Sequence, residues 1–366
     1  MLTKRLADDV LRAYGGVNRR LGRLARRPLL YFLYLTERCN LNCSYCWQHV
    51  NPAPGDRGQA AGSEMTAEEW CRVIDRLPRW AGVGLSGGEP LLVGGFEEIF
   101  TRAAERMPVT VNTNGVLLGE RLSELFVSRG LRNLSVSLDG FREVHDTSRS
   151  APGLFDRVVA NIAALNSMKR PKGSRRPALT IKTTLVDEGV DRLEEFCDYC
   201  RRELEAQTVN ISLAKTDHHA QFSHRLYEDF GDLPTAGLPE SIPYTSGDRI
   251  VAVLGRLMDK YARGPMRITL YPDMRTERQV AAYLAAGGKD VYPRCDMPWA
   301  LVVVMPGGDV IPCLSVRLGN VRQTDYDVRK VLAGPAARAF REQLGLAQRG
   351  GRTPAVCNCC CFLRVR

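Results

Sequence analysis

Three cysteines spaced Cys39-x3-Cys43-x2-Cys46 are the residues of this chain best suited to chemistry. Thiolates are soft donors that suit zinc and iron–sulfur clusters. A single zinc ion needs a fourth donor, and His49 is the nearest available one in sequence. Three thiolates alone can hold a cube of four irons and leave one iron uncovered. An uncovered iron can bind a small molecule and pass it an electron. A second set lies at the far end of the chain: Cys295, Cys313 and the run Cys357-Asn358-Cys359-Cys360-Cys361. Cysteines on a hairpin followed by Cys-x2-Cys fit a zinc ribbon as well as an iron–sulfur site. Cys71, Cys197 and Cys200 fall inside helical patterns and read as small buried hydrophobes.

These cysteines need elements to hold them. Short apolar, β-branched runs at 30–36, 83–87, 109–114, 133–140, 179–186 and 208–214 alternate with amphipathic stretches. Thr66 and Glu69 form a T-x-x-E capping box at one helix start. The alternation predicts six βα units, a parallel sheet and right-handed crossovers. In such sheets function collects at the C-terminal ends of the strands. The polar strings obey that rule. Cys39 follows the first strand, Gly87-Gly88-Glu89-Pro90 the second, Thr113-Asn114-Gly115 the third, and Ser137-Leu138-Asp139-Gly140 the fourth. Residues 231–247 read as a loop, and helices over 248–263 and 275–286 as a bridge. From Cys295 the text is strand, Pro-Gly-Gly-Asp turn, strand, which predicts a hairpin. A last helix is expected over about 327–345.

The stretch LTERCNLNCSYCW, with Tyr45 as the aromatic residue, strongly resembles the signature of radical S-adenosylmethionine (SAM) enzymes. Gly87, Gly88 and Glu89 resemble that family's contact for the methionyl amino group of SAM. Asn114, Ser137 and Asp139 match its later strand-end segments. His145-Asp146-x-x-Arg149 is similar to the element whose arginine commonly meets the SAM carboxylate. Adjacent glycines admit close backbone approach, Glu89 offers an anion for an ammonium, and Arg149 a fork for a carboxylate. The resemblance implies a 4Fe–4S cluster on Cys39, Cys43 and Cys46. It also implies reductive cleavage of SAM to a 5′-deoxyadenosyl radical that abstracts hydrogen from carbon. The second cysteine set resembles the start of the SPASM domain, shortened to the form called twitch. That likeness implies an auxiliary 4Fe–4S cluster on Cys295, Cys313, Cys357 and Cys360; Cys359 or Cys361 could take the place of Cys360, or one could remain as a hydrogen-atom or proton donor. The expected fold is α/β: a partial (β/α)6 TIM-like barrel with a C-terminal hairpin-and-helix twitch domain. The expected divisions are a basic helical extension (1–27), the radical SAM core (28–215), a linker with bridging helices (216–290) and the auxiliary domain (291–366).

Composition narrows the rest. The chain has 366 residues and a net charge of +10, and much of the excess lies in its first 27 residues and last turns. No helix-turn-helix, zinc-finger or RNA-recognition pattern accompanies that charge, so nucleic acid is not expected as a partner. No apolar run approaches the roughly eighteen residues of a membrane span. The N-terminus lacks the apolar centre of a secretory signal, which points to the cytoplasm. Only some thirty residues precede the first strand, too few for the leader-binding domain many peptide maturases carry. The expectation is therefore an oxidoreductase or epimerase acting on a small natural product, sugar-like or aminocyclitol-like, as in antibiotic biosynthesis. A peptide-modifying maturase and a non-catalytic iron–sulfur protein are the alternatives. A flavodoxin or ferredoxin is the expected reductant. Polar side chains on or after the fifth and sixth strands should face the substrate: Lys182, Lys215, Asp217 and His218, with Tyr271 and Asp273 further along. Lys215 or His218 would be the base.

Overall fold

The computed structural model describes residues 4–21, 27–46, 64–214, 227–233, 244–285, 295–313, 316–349, 354 and 357. Its strands are β1 (Leu30–Tyr34), β2 (Gly82–Ser86), β3 (Val109–Thr113), β4 (Asn133–Ser137), β5 (Ala178–Leu185), β6 (Thr208–Leu213), β7 (Arg267–Tyr271), β8 (Leu301–Val304), β9 (Asp309–Ile311) and β10 (Gly319–Asn320). Its helices are α1 (Lys4–Leu21), α2 (Ala67–Arg76), α3 (Phe96–Ala104), α4 (Glu120–Ser128), α5 (Arg142–Ser148), α6 (Leu154–Lys169), α7 (Leu193–Arg202), α8 (Gly247–Lys260), α9 (Glu277–Ala285), α10 (Val328–Ala333) and α11 (Pro335–Arg349). None of them is long and apolar enough to cross a membrane.

The strands form one sheet in the order β10-β9-β8-β1-β2-β3-β4-β5-β6-β7. All pairs from β8 to β7 are parallel. The pairs β8–β9 and β9–β10 are antiparallel. The six expected βα strands are β1 to β6, and the partial-barrel fold is present. The sheet also extends past them on both sides. β7 lies in the segment read as a bridge, between two helices close to their expected spans. β7 joins the sheet by pairing with β6. The hairpin after Cys295 forms, and its first strand also takes the free edge of β1. The last helix is two, α10 and α11, broken at Gly334-Pro335.

Register divides the sheet into two faces, because paired residues in a parallel sheet point the same way. Leu85, Val111, Leu134, Val136, Ile181 and Val209 line one face and are fully buried in the main core. The opposite face carries an apolar cluster of Leu30, Phe32, Leu301 and Val303 at β1 and β8 and is polar from β3 to β7. One row across it is Asn112, Ser135, Thr180 and Thr208. The next is Ser137, Lys182, Asn210 and Thr269, and above that Thr184, Ser212 and Tyr271. Thr180 Oγ1 donates to Asn133 Oδ1 at 2.9 Å and Asn210 Nδ2 to Thr269 Oγ1 at 2.9 Å, tying neighbouring strands together. Ser135, Thr180 and Asn210 are buried, whereas Ser137, Lys182, Thr184, Ser212 and Tyr271 are half-buried. The polar wall therefore opens towards the C-terminal ends of the strands.

Candidate active site

Four loops meet at that open end. The loop after β1 carries Cys39 and runs against the loop after β2. Gly88 N–H donates to Thr36 O at 2.8 Å and Glu89 N–H to Arg38 O at 2.9 Å. The contact is too close for side chains. A Cβ on Gly88 would sit 2.3 Å from Arg38 O, and one on Gly87 2.5 Å from Thr36 O. Gly87 also has φ +139°, which other residues avoid. Both glycines thus set the course of the chain into Cys39. Glu64 fixes the other side of the loop: its carboxylate accepts from Thr36 Oγ1 at 2.8 Å and from Glu37 N–H at 2.8 Å. Nothing in the sequence marks Glu64, because its partners lie nearly thirty residues earlier.

Glu89 is completely buried. It accepts from Asn114 N–H (2.7 Å), Leu91 N–H (3.0 Å) and Thr113 Oγ1 (2.9 Å). Burial still outweighs these donors and pushes its carboxyl up to about 7. Asn114 bridges to the cysteine loop, donating to Asn40 Oδ1 at 2.8 Å and to Cys39 Sγ at 3.9 Å. Asn40 has no signal in the sequence beyond sitting between two cysteines.

Asp139 and Arg149 form the second half of the site. Arg149 grips Asp139 with two N–H donors, at 2.7 and 3.1 Å, and both side chains are buried. Thr184 N–H donates to the same carboxylate at 2.9 Å, and Tyr45 OH donates to it as well. Burial opposes the charge of Asp139, but the Arg149 guanidinium overcomes it and holds the carboxyl below its ordinary value. Arg149 also donates to Cys43 Sγ at 3.9 Å. The arginine expected as a fork for a ligand carboxylate is thus engaged by Asp139 and turned towards Cys43. His145 Nδ1 accepts from Asp139 N–H at 3.1 Å, which makes Nε2 the protonated nitrogen. Burial, with Arg149 second, lowers His145 to about 4. Ser44 N–H donates to Ser148 O at 2.9 Å, so the turn of Cys43 and Cys46 is tied to the end of α5. Ser137 sits half-buried on the polar wall beside Lys182.

The donor set fits an iron–sulfur cube. Burial, opposed by the Arg149 guanidinium and joined by like charge from Cys46, Asp139 and Cys39, raises the Cys43 thiol to about 11. Three thiolates this crowded call for positive metal between them. No three His, Cys, Asp or Glu side chains among the described residues close tightly enough for one metal ion. The second set behaves similarly. Burial pushes the Cys295 thiol up to about 12, and the Cys313 thiol beside it adds like charge. Cys357 N–H donates to Pro354 O at 2.9 Å. Cys360, Cys359, Cys361, His49, Lys215, Asp217 and His218 lie outside the described residues. Asp273 pairs with Arg275 and Arg12 and does not belong to the wall. Cys197 and Cys200 are fully buried on α7, as their helical spacing implies.

Comparison with known proteins follows the same division. Residues 33–202 match the family model described as the Radical SAM superfamily, and residues 295–361 the one described as an iron–sulfur cluster-binding domain. The chain is 29% identical over 326 residues to an AdoMet-dependent heme synthase of Methanosarcina barkeri, covering 83% of this chain and 82% of that protein. It is 29% identical over 196 residues to the sporulation killing factor maturation protein SkfB of Bacillus subtilis, covering 53% and 44%. The crystal structure of Streptococcus suis SuiB bound to S-adenosylmethionine superposes with TM-score 0.59 at 13% identity, over 92% of this chain and 72% of that one.

Proposed function

The chain belongs to the radical SAM superfamily and carries a C-terminal iron–sulfur domain, and from that premise we propose that it removes a hydrogen atom from a carbon of a hydroxyl-rich small natural product. When bound, SAM on a reduced cluster supplies the radical that takes the hydrogen atom. Cys39, Cys43 and Cys46 would hold that cluster. Glu89, with Gly87, Gly88 and Asn114, would receive the SAM amino end. Asp139, Arg149, Tyr45 and Ser137 would shape the opposite side. The observation that carries the substrate class is the polar wall. Ser137, Lys182, Thr184, Ser212 and Tyr271 stand half-buried in register on one face, at the open end of the sheet. Ser, Thr, Lys and Tyr in such rows supply donors and acceptors at spacings that suit a sugar or aminocyclitol.

The auxiliary cluster would accept the electron left on the substrate, giving net dehydrogenation. A second reading rests on a separate observation: relatives include SkfB, named as a maturation protein, and a PqqA peptide cyclase, 35% identical over 113 residues. The test is turnover under strict anaerobiosis with SAM and dithionite. A sugar or aminocyclitol panel should drive 5′-deoxyadenosine formation and yield a product lighter by two hydrogens. Deuterium from solvent at an inverted carbon would instead mean epimerisation, with Cys359 or Cys361 as donor. Turnover with peptides alone would overturn the small-molecule reading and leave the second. Lys182→Met is expected to raise the KM of the true substrate ~10–100-fold, the worth of a hydrogen bond from a charged donor. Its iron content should not change.

The number of clusters is a separate prediction. Reconstituted protein should bind about eight irons, two cubes' worth. Replacing Cys39, Cys43 and Cys46 together with Ala should remove about half of them. Iron analysis decides it, and four irons in the unaltered chain would refute the auxiliary cluster.

A further inference from the structure

The basic helical extension expected over 1–27 contains the helix α1. One of its faces is packed against the segment that carries Cys295. Asn18 Nδ2 donates to Trp299 O at 2.8 Å, and Arg19 Nε to Asp296 Oδ1 at 2.9 Å. Gly15 lies against the backbone itself: a Cβ there would sit 2.4 Å from Asp296 O. Glycine inside a helix costs about 1 kcal/mol relative to alanine, so its place here needs a reason, and close approach is one. Arg12 lies one turn before Gly15 on the same face. Its Nε is buried without a hydrogen-bond partner, 3.6 Å from the Asp273 carboxylate. From the other side, Gln348 Nε2 on α11 donates to Cys295 O at 3.1 Å. The opposite face of α1 is bare, with Val10 and Val17 exposed.

We propose that α1 is part of the auxiliary cluster site, with Gly15, Asn18 and Arg19 positioning the Cys295 segment and Arg12 supplying a positive charge beside the cluster. This rests on the reading that Cys295 and Cys313 hold that cluster. A nearby cation stabilises the more negative, reduced state of an iron–sulfur cluster, so it raises the reduction potential. Arg12 and its neighbours are positioning residues.

The test uses the full chain with Cys39, Cys43 and Cys46 replaced by Ala, so that only the auxiliary cluster remains. That parent should bind about four irons. Added Arg12→Gln should keep the iron and move the midpoint potential, read by redox titration with EPR, to a more negative value. Arg12→Lys should restore most of the shift. Gly15→Val should lose auxiliary iron, while Val10→Ser and Val17→Ser on the bare face should lose none. A loaded Arg12→Gln protein with an unchanged potential, or a fully loaded Gly15→Val protein, overturns this inference alone. A parent that binds no iron overturns the auxiliary cluster reading along with it.

Discussion

Asp139→Asn is expected to lower the melting temperature by roughly 5–10 °C and to abolish SAM binding at ordinary concentrations. The substitution keeps volume and removes one charge. Arg149 is then left buried with no counter-charge, since its Nε and one terminal nitrogen both donate to the Asp139 carboxylate. Breaking a buried pair by removing one partner costs about 3–5 kcal/mol. That is a large share of the ~5–15 kcal/mol by which folded proteins are stable. The damage would not stay local. Tyr45 OH and Thr184 N–H donate to different oxygens of Asp139, so the one that faces the new amide nitrogen loses its acceptor, and Arg149 is freed from the geometry that points it at Cys43. Removing both charges together should hurt less, because replacing a whole buried pair with apolar groups is often near neutral. Asp139→Leu with Arg149→Met should therefore recover most of the melting temperature while SAM binding stays lost. A thermal scan of the three variants decides it. An Asp139→Asn protein as stable as the unaltered chain would show that the pair does not hold the site together.

That pair also shows where sequence reading stops. The strings around Cys39, Glu89, Asn114 and Asp139 are legible in position because each follows the end of a strand. Their places in the fold follow from the parallel sheet alone. The partner of Arg149 was not legible. The arginine was expected to face a ligand carboxylate, and the carboxylate it meets is ten residues earlier, brought round by one short helix. Glu64 and Thr184 are hidden for the same reason: Glu64 accepts from a backbone N–H far earlier in sequence, and Thr184 donates its own N–H to a carboxylate far earlier in sequence. The polar wall was half legible. Lys182 was placed on it, but the rows exist only once β4, β5, β6 and β7 are in register. The helix α1 was the least legible element. Its charges mark only a basic extension, and the partners of Arg12 and Arg19 lie more than 250 residues downstream.

Glu89 and His145 together should give the ligand-free protein a nearly flat stability between about pH 4.5 and 6.5, because two slopes cancel. Burial raises Glu89 to about 7, so the native state holds its proton longer than the unfolded chain does. Its contribution is present below the unfolded value near 4.5 and is lost as pH rises through 7, a loss of about 3 kcal/mol. His145 runs the other way. Burial lowers it to about 4, so the native state sheds its proton early. Its contribution is present above the unfolded value near 6.5 and is lost as pH falls through 4, again about 3 kcal/mol. Glu89→Gln removes the first slope and should expose the second. Denaturant titrations of that variant should then show stability rising by about 3 kcal/mol from pH 4 to 6.5. A profile as flat as that of the unaltered chain would sink the account. SAM changes the balance on one side only. An ammonium beside Glu89 favours the carboxylate, so binding near pH 6 should release close to one proton per SAM. Calorimetry in buffers of different ionisation enthalpy counts that proton. Glu89→Gln should abolish the release and weaken binding ~10–100-fold, the worth of a charged hydrogen bond, with both cysteine sites still loaded with iron.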